Sequence, residues 1–196
     1  IKGGKVFVKT LPEGSKFVTL DETERTLSDK DLMICNAEEG MCIAGVFGGL
    51  KSGVTDATTD VFLEAAYFNP MWVRKTARRH GLNTDSSFRF ERGVDPNNTL
   101  YVLKLAALMV KELAGGQICG DVVDIYPEKI NNFPVTLSYD KINTLVGKVI
   151  PEDIVKDILR SLEIEVLKEQ DGVLELSVPT YRVDVKRDVD VIEDIL

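Results

Sequence analysis

A segment bounded by prolines, residues 127–134, divides the sequence into two stretches with different apolar patterns. Before it, short runs rich in valine, isoleucine and phenylalanine are separated by glycine turns. After it, two helix-like stretches are followed by two short apolar runs. Because strands and helices require different apolar spacings, and 196 residues suffice for two small domains, we predict domains at residues 1–127 and 128–196.

The first stretch predicts a sheet with flanking helices. Short apolar runs with the length and composition of strands occur at residues 5–10, 15–20, 31–36, 41–47, 61–66 and 117–125. Asn69 and Pro70 form a helix-start signal, and this helix should run to His80 and stop at Gly81. A second start signal at residues 95–96 predicts a helix that reaches about residue 114.

The second stretch follows the plan of a winged helix. A strand at residues 135–137 precedes helices at 139–145 and 151–162, and a hairpin over residues 163–178 forms the wing. The predicted fold class is therefore α+β. A domain with a mixed or antiparallel sheet and flanking helices is followed by a small winged-helix-like α+β domain.

Charge and composition narrow the functional classes. The net charge of −8 opposes nonspecific nucleic-acid binding by the whole chain, and residues 131–196 carry fourteen acidic against eight basic residues. No apolar run approaches the roughly 18 residues that span a bilayer. Three irregularly spaced cysteines predict no disulfide framework. We expect a cytoplasmic protein with no membrane or DNA partner. Because the sequence lacks an initiator Met and stops within a predicted helix, we also expect a piece of a longer protein.

Several polar features have both a functional and a structural interpretation. The glycine-rich loop at residues 45–53 would admit a ligand closely or simply form a turn. Glu64 interrupts an apolar run, so its carboxylate either meets a ligand or faces solvent. Residues 74–92 carry six basic against two acidic residues, which would contact RNA phosphates or form a solvated face. His80 lies near the end of its helix, where a histidine can simply be a cap favoured by the helix dipole, and nothing in the sequence marks it as catalytic.

Four carboxylates near the end of the chain form another polar group: Asp184, Asp190, Glu193 and Asp194. The last three share a helical face by their spacing. Oxygen ligands of this kind suit magnesium, whereas acidic residues near a helix start also complement the helix dipole. The spacing alone leaves both interpretations open.

The motifs taken together resemble a known family. Gly45-Val-Phe-Gly-Gly49, Leu63-Glu-Ala-Ala-Tyr-Phe68 and Ala77-Arg-Arg-His-Gly-Leu-Asn-Thr-Asp-Ser-Ser87 occur in the order found in the editing module of bacterial phenylalanyl-tRNA synthetase beta subunits. Val178-Pro-Thr-Tyr-Arg-Val-Asp184 and Asp190-Val-Ile-Glu-Asp194 look like the following module of the same subunit. The resemblance extends over nearly the whole chain, with many fixed spacings held at once.

The resemblance implies an aminoacyl-tRNA synthetase, phenylalanine–tRNA ligase, that joins phenylalanine to tRNA(Phe) with ATP and Mg²⁺. Its partners would be an alpha subunit in an alpha2beta2 tetramer, tRNA(Phe), and tyrosyl-tRNA as the editing substrate. The alpha subunit would hold the synthetic site, so this chain should neither bind ATP nor aminoacylate alone. An editing pocket is needed because an apolar pocket discriminates only about a hundredfold against an added hydroxyl.

The resemblance also implies site residues. Glu64 falls where the family's glutamate meets the tyrosine hydroxyl, Gly48 lines the pocket, and Thr84 and Ser86 line the other wall. Ser86 stands where relatives often carry Ala. No catalytic residue is assigned, because the histidine that the family uses lies in an upstream stretch absent from this sequence.

The resemblance identifies Asp184, Asp190, Glu193 and Asp194 with the family's Mg²⁺ ligands, at a site shared with the alpha subunit. Asp194 replaces the more usual Glu. Two rival functions remain open: a non-catalytic scaffold that binds tRNA or another subunit, and a winged-helix nucleic-acid binder. An assay of tyrosyl-tRNA hydrolysis distinguishes an editing function from a scaffold function. The salt dependence of nucleic-acid binding tests whether the chain is a winged-helix nucleic-acid binder.

Overall fold

The computed structural model describes all 196 residues, which form two compact units. The first unit contains residues 1–94 and 99–119, and the second contains residues 95–98 and 120–196. The sequence-based boundary after residue 127 lies inside the second unit. Both units combine antiparallel sheets with helices, so the predicted α+β class is confirmed.

Six short strands form two antiparallel sheets in the first unit: β1 Phe7–Thr10, β2 Lys16–Val18, β3 Glu24–Thr26, β4 Leu32–Cys35, β5 Gly40–Ile43 and β6 Phe47–Gly48. One sheet has the order β1-β4-β5-β6, and β2 pairs with β3 in the other. Strand β4 is central, and Met33 is completely buried on it. Together with Leu27, Ile43 and Val46, this side chain forms the centre of the unit's apolar core.

Three helices complete the first unit: α1 Pro70–His80, α2 Asp85–Phe90 and α3 Thr99–Ala114. The predicted bounds of α1 are confirmed. The Asn69 side chain accepts a hydrogen bond from the N–H of Met71, and Gly81 ends the helix at φ 62°. Because a left-handed residue at this position best suits glycine, the end of α1 could be read directly from the sequence.

The predicted strands at residues 61–66 and 117–125 are wrong, because both segments lack regular structure. A strand requires a neighbour to satisfy its N–H and C=O groups, and no strand of the chain pairs with either segment. The predicted strand at residues 41–47 is split by a turn at residues 44–46. Strand β3 and helix α2 were not predicted, since three and six residues are too few to show apolar periodicity.

Helix α3 exposes most of its apolar side chains. None of its sixteen residues is buried, and Leu105, Leu108 and Leu113 are 45%, 56% and 81% exposed. It begins at Thr99 rather than directly after the predicted start signal at residues 95–96. Neither α3 nor any other helix of the chain has the length and apolarity needed to cross a membrane.

The second unit has the strand, helix, helix and hairpin order predicted for it: β7 Phe133–Ser138, α4 Tyr139–Val146, α5 Glu152–Ser161, β8 Glu165–Gln170 and β9 Val173–Val178, followed by α6 Asp188–Ile195. The three strands form an antiparallel sheet in the order β7-β9-β8. Ser138 caps α4 by accepting a hydrogen bond from the N–H of Lys141. Fully buried Ile142, Leu159 and Leu174 tie α4, α5 and the sheet into one core.

The close approach of the backbone at Gly49 predicts that a side chain at this position would destabilise the first unit. A Cβ at this position would come within 2.6 Å of the Met41 carbonyl oxygen and of Phe17 Cζ. Gly49→Ala should therefore reduce the free energy of unfolding of the first unit by about 1–3 kcal/mol, as measured by urea denaturation. Gly116→Ala is the matched control, because nothing lies within 4 Å of its added Cβ. Equal stability of the two variants would contradict the close contact.

Candidate functional site

A cavity of about 750 Å³ lies in the first unit. Residues of β4 and β5, the loop after β6 and the segment at residues 58–64 form its walls. It brings together Gly48 and Glu64, two of the four pocket residues that the sequence predicts. Its volume falls within the roughly 300–1,000 Å³ typical of small-ligand pockets.

The Gly48 wall is held by backbone hydrogen bonds. Gly48 lies directly opposite Cys42 in the β5–β6 ladder, and the next N–H, that of Gly49, donates to the Met41 carbonyl at 2.8 Å. The Ser52 hydroxyl donates to the same carbonyl at 2.6 Å. A Cβ at Gly48 would approach Leu20 Cδ1 to 2.8 Å. The loop therefore presents backbone to the cavity and leaves little room for a side chain.

Glu64 lines the cavity from a segment without regular structure. The residue as a whole is exposed. Partial loss of water raises the pKa of its carboxyl, and no hydrogen bond or cation of the chain offsets this effect. Four residues later, the buried Phe68 packs against Phe90 of α2 with the ring centroids 5.1 Å apart, which anchors the segment. Glu64 is thus a carboxylate without an internal partner.

Cys42 also lines this cavity, and the sequence reasoning missed it. Loss of water, reinforced by the nearby negative charge of Glu64, raises the pKa of its thiol to about 11. The signal was present in the alternation of β5, because Ile43 points into the core and its neighbour must face the other way. Its place opposite Gly48 could be known only after the strands were paired.

Thr84 and Ser86 are not among the residues that line the cavity. The Thr84 hydroxyl caps α2 by accepting a hydrogen bond from the Ser87 N–H at 3.0 Å, and it donates to the Val46 carbonyl at 2.6 Å. Ser86 is half-buried in the first turn of α2. Thr84 therefore joins α2 to the loop that leads into Gly48, and a direct contact of either residue with a ligand stays a prediction.

A buried charged cluster lies at the end of α1. Asp31 is completely buried and accepts hydrogen bonds from the Ser28 N–H at 2.8 Å and from Arg79 Nη1. His80 Nε2 lies 2.7 Å from its second oxygen, and the histidine side chain is only 5% exposed. Burial acts to raise the pKa of Asp31, but the hydrogen bonds from Ser28 and His80 outweigh it and lower the pKa. The interpretation of His80 as a cap of α1 is wrong, because its ring faces this carboxylate.

The other basic residues of α1 behave differently from Arg79. Arg74, Lys75 and Arg78 are exposed and form no ion pair within the chain. Their spacing places them on one side of the helix. The surface of α1 therefore offers three cations to an external partner, while the fourth predicted cation is used internally.

The four carboxylates proposed as magnesium ligands do not form a common site in this structure. The Arg187 guanidinium binds Asp190 at 2.7 Å and, with backbone N–H groups, lowers its pKa to about 2. Arg182 binds Asp194 at 2.7 Å. Asp184 and Glu193 are exposed. The oxygen donors suit Mg²⁺, but the chain by itself brings no three acidic, histidine or cysteine side chains together to hold a metal ion, so the magnesium assignment stays a prediction.

Comparisons with known proteins agree in both units. Residues 1–115 match the B3/4 domain family, and residues 135–196 match the tRNA synthetase B5 domain family. The chain is 67% identical over its whole length to the phenylalanine–tRNA ligase beta subunit of Bacteroides thetaiotaomicron and 55% identical to that of Porphyromonas gingivalis. It spans about a quarter of the length of these curated relatives, 24% in each case.

A solved structure also resembles the chain. The crystal structure of an N-terminal fragment of the phenylalanyl-tRNA synthetase beta subunit from Pyrococcus horikoshii is 16% identical, with a TM-score of 0.46. The match covers 97% of this chain and 55% of that one.

The environment of Cys42 predicts slow alkylation. Because its thiol pKa is about 11, Cys42 should react with iodoacetamide far more slowly at pH 8 than the exposed Cys119. Raising the pH from about 8 to 10 should increase the Cys42 rate ~100-fold, since only the thiolate reacts. Peptide mass spectrometry would follow alkylation at each cysteine. Glu64→Gln should accelerate the alkylation of Cys42 by removing the nearby negative charge. Equally fast labelling of both cysteines at pH 8 would contradict the raised pKa of the Cys42 thiol.

Proposed function

Because the chain belongs to the phenylalanine–tRNA ligase beta-subunit family and carries its B3/4 and B5 domains, we propose that its first unit edits mischarged tRNA(Phe). In this proposal the cavity holds the tyrosyl group of tyrosyl-tRNA(Phe) while its ester bond is hydrolysed. The observation that carries the proposal is the Glu64 carboxylate, which faces a cavity of ligand size without a hydrogen bond or cation of the chain.

Glu64 supplies a chemical basis for selecting tyrosine over phenylalanine. Its carboxylate accepts a hydrogen bond from a phenol hydroxyl, and such charge-assisted bonds contribute about 1.5–3 kcal/mol. Phenylalanine lacks the hydroxyl and would leave this partly dehydrated carboxylate unpaired. A pocket that requires a hydroxyl discriminates more strongly than an apolar pocket that must reject one. Editing in this cavity thereby corrects the weak discrimination of an apolar synthetic pocket against tyrosine.

The steps outside this pocket belong to the whole enzyme. Synthesis of phenylalanyl-tRNA with ATP is assigned to the alpha subunit of an alpha2beta2 ligase in the cytoplasm, and the second unit acts as a docking module. No residue of this chain is assigned to the hydrolytic proton transfers. The exposed cations Arg74, Lys75 and Arg78 on α1 suit the phosphate backbone of the tRNA.

A scaffold role is the second candidate, and the exposed apolar surface of α3 favours it. A helix that buries none of its sixteen residues offers Leu105, Leu108 and Leu113 to another polypeptide. This role would place the unit in the enzyme without requiring chemistry in the cavity. Hydrolysis of tyrosyl-tRNA(Phe) by the full-length enzyme distinguishes the two candidates.

Replacement of Glu64 tests the editing proposal directly. In the full-length enzyme, Glu64→Ala should slow hydrolysis of tyrosyl-tRNA(Phe) roughly ten- to a hundredfold through loss of one charge-assisted hydrogen bond. Charging with phenylalanine should stay nearly constant, because it occurs at a different site. Glu24→Ala is the matched control, since Glu24 is an exposed carboxylate on β3 outside the cavity. Hydrolysis at the parental rate in Glu64→Ala would show that Glu64 does not bind the substrate.

Magnesium binding should depend on the assembled enzyme. The chain alone should bind Mg²⁺ weakly in calorimetry, because Arg187 and Arg182 occupy two of the four proposed ligands. The alpha2beta2 enzyme should bind more tightly if the partner subunit completes the site. Arg187→Met, which removes the guanidinium from Asp190, should strengthen binding by the chain. Equal affinity of the chain and the assembled enzyme would contradict a shared site.

A further inference from the structure

We propose that Asp31 is a positioning residue for the editing pocket, an inference that rests on the proposed function of the cavity. Asp31 does not line the cavity. It binds Arg79 and His80 at the end of α1 and so fixes the turn that carries Thr84. Thr84 in turn holds the backbone of the loop that leads into Gly48.

Three donors compensate for the burial of the Asp31 carboxylate. A completely buried carboxylate is costly unless hydrogen bonds and opposite charges compensate for the lost water. The Ser28 N–H, the Arg79 guanidinium and the His80 ring provide this compensation. Asp31 directly precedes β4, the central strand of the sheet. The cluster therefore fixes the end of α1 to the sheet at one defined point.

A closed turn connects the end of α1 to Thr84. Gly81 adopts φ 62° and its N–H bonds back to the last turn, and the Leu82 N–H donates to the Ala77 carbonyl at 2.9 Å. The chain thus leaves α1 in a closed turn and reaches Thr84 after only two more residues. Arg25 braces the same point, because its Nη1 donates to the His80 carbonyl at 3.0 Å.

A hydrogen bond connects Thr84 to the loop that leads into the wall of the cavity. The Thr84 hydroxyl donates to the Val46 carbonyl at 2.6 Å and so joins the α1–α2 turn to the glycine loop. Two residues beyond Val46, Gly48 faces Cys42 and lines the cavity. A displacement of the α1 end would move this wall relative to Glu64. Misplacement of reacting groups by about 1 Å can reduce a rate by roughly 100-fold.

The test replaces Asp31 in the full-length enzyme and separates kcat from KM. Asp31→Asn removes the charge but keeps the shape, and Asp29→Asn is the control because Asp29 is exposed on the same loop. We expect kcat for hydrolysis of tyrosyl-tRNA(Phe) to fall about tenfold. KM should change little, because Asp31 does not line the cavity, and phenylalanine charging should stay constant. A kcat equal to that of Asp29→Asn would overturn the proposal.

A double-mutant cycle distinguishes positioning from general destabilisation. Thr84→Val removes the bond to Val46, so Asp31→Asn should add little to its effect on kcat if Asp31 acts through Thr84. Fully additive effects on kcat would overturn the proposal even where both variants melt at lower temperature. If Asp31→Asn does not fold, His80→Leu, which removes the ring contact with Asp31, is scored by the same criteria.

The unaltered enzyme separates this proposal from the proposed function. If it does not hydrolyse tyrosyl-tRNA(Phe), both fail. If it does, and Glu64→Ala is impaired while Asp31→Asn matches its control, the editing assignment stands and only the positioning role of Asp31 is wrong.

Discussion

The buried carboxylate of Asp31 is the interaction on which the arrangement of the first unit depends. It joins the start of the central strand to the last turn of α1 through Arg79 and His80. Arg79 and His80 compensate for the water that this carboxylate loses on burial, so the contact fixes the end of α1 to the start of β4. Both the glycine loop and the turn that carries Thr84 take their positions from that packing.

Local signals in the sequence predicted the elements whose ends are fixed by single residues. Asn69, Pro70 and Gly81 define α1, and the apolar spacing of the second unit predicted its strand, helices and wing. The errors fall where an element depends on a neighbour. Residues 61–66 and 117–125 have the composition of strands, but no strand of the chain pairs with them. Composition indicates what a segment favours, whereas pairing is decided by what lies beside it.

The sequence likewise pointed to some residues of the candidate site and missed others. The resemblance pointed to Gly48 and Glu64, and the fold brings both to one cavity although sixteen positions separate them. Cys42 and Asp31 escaped sequence reasoning, since Cys42 reaches the cavity wall only when β5 pairs with β6 and Asp31 loses its water only in the fold. Their roles follow from strand pairing and from full burial. Those properties belong to the folded chain rather than to any local motif.

Carboxylates of this chain meet three different environments, and the contrast sets Glu64 apart. Asp31 loses its water but gains three donors, so it stays charged and structural. Asp190 is held by the Arg187 guanidinium and also accepts a hydrogen bond from the Arg187 N–H at the start of α6. Glu64 loses part of its water and gains no partner from the chain. A group in that state gains most from a hydroxyl that arrives with a substrate, and it gains nothing from a phenyl ring without one.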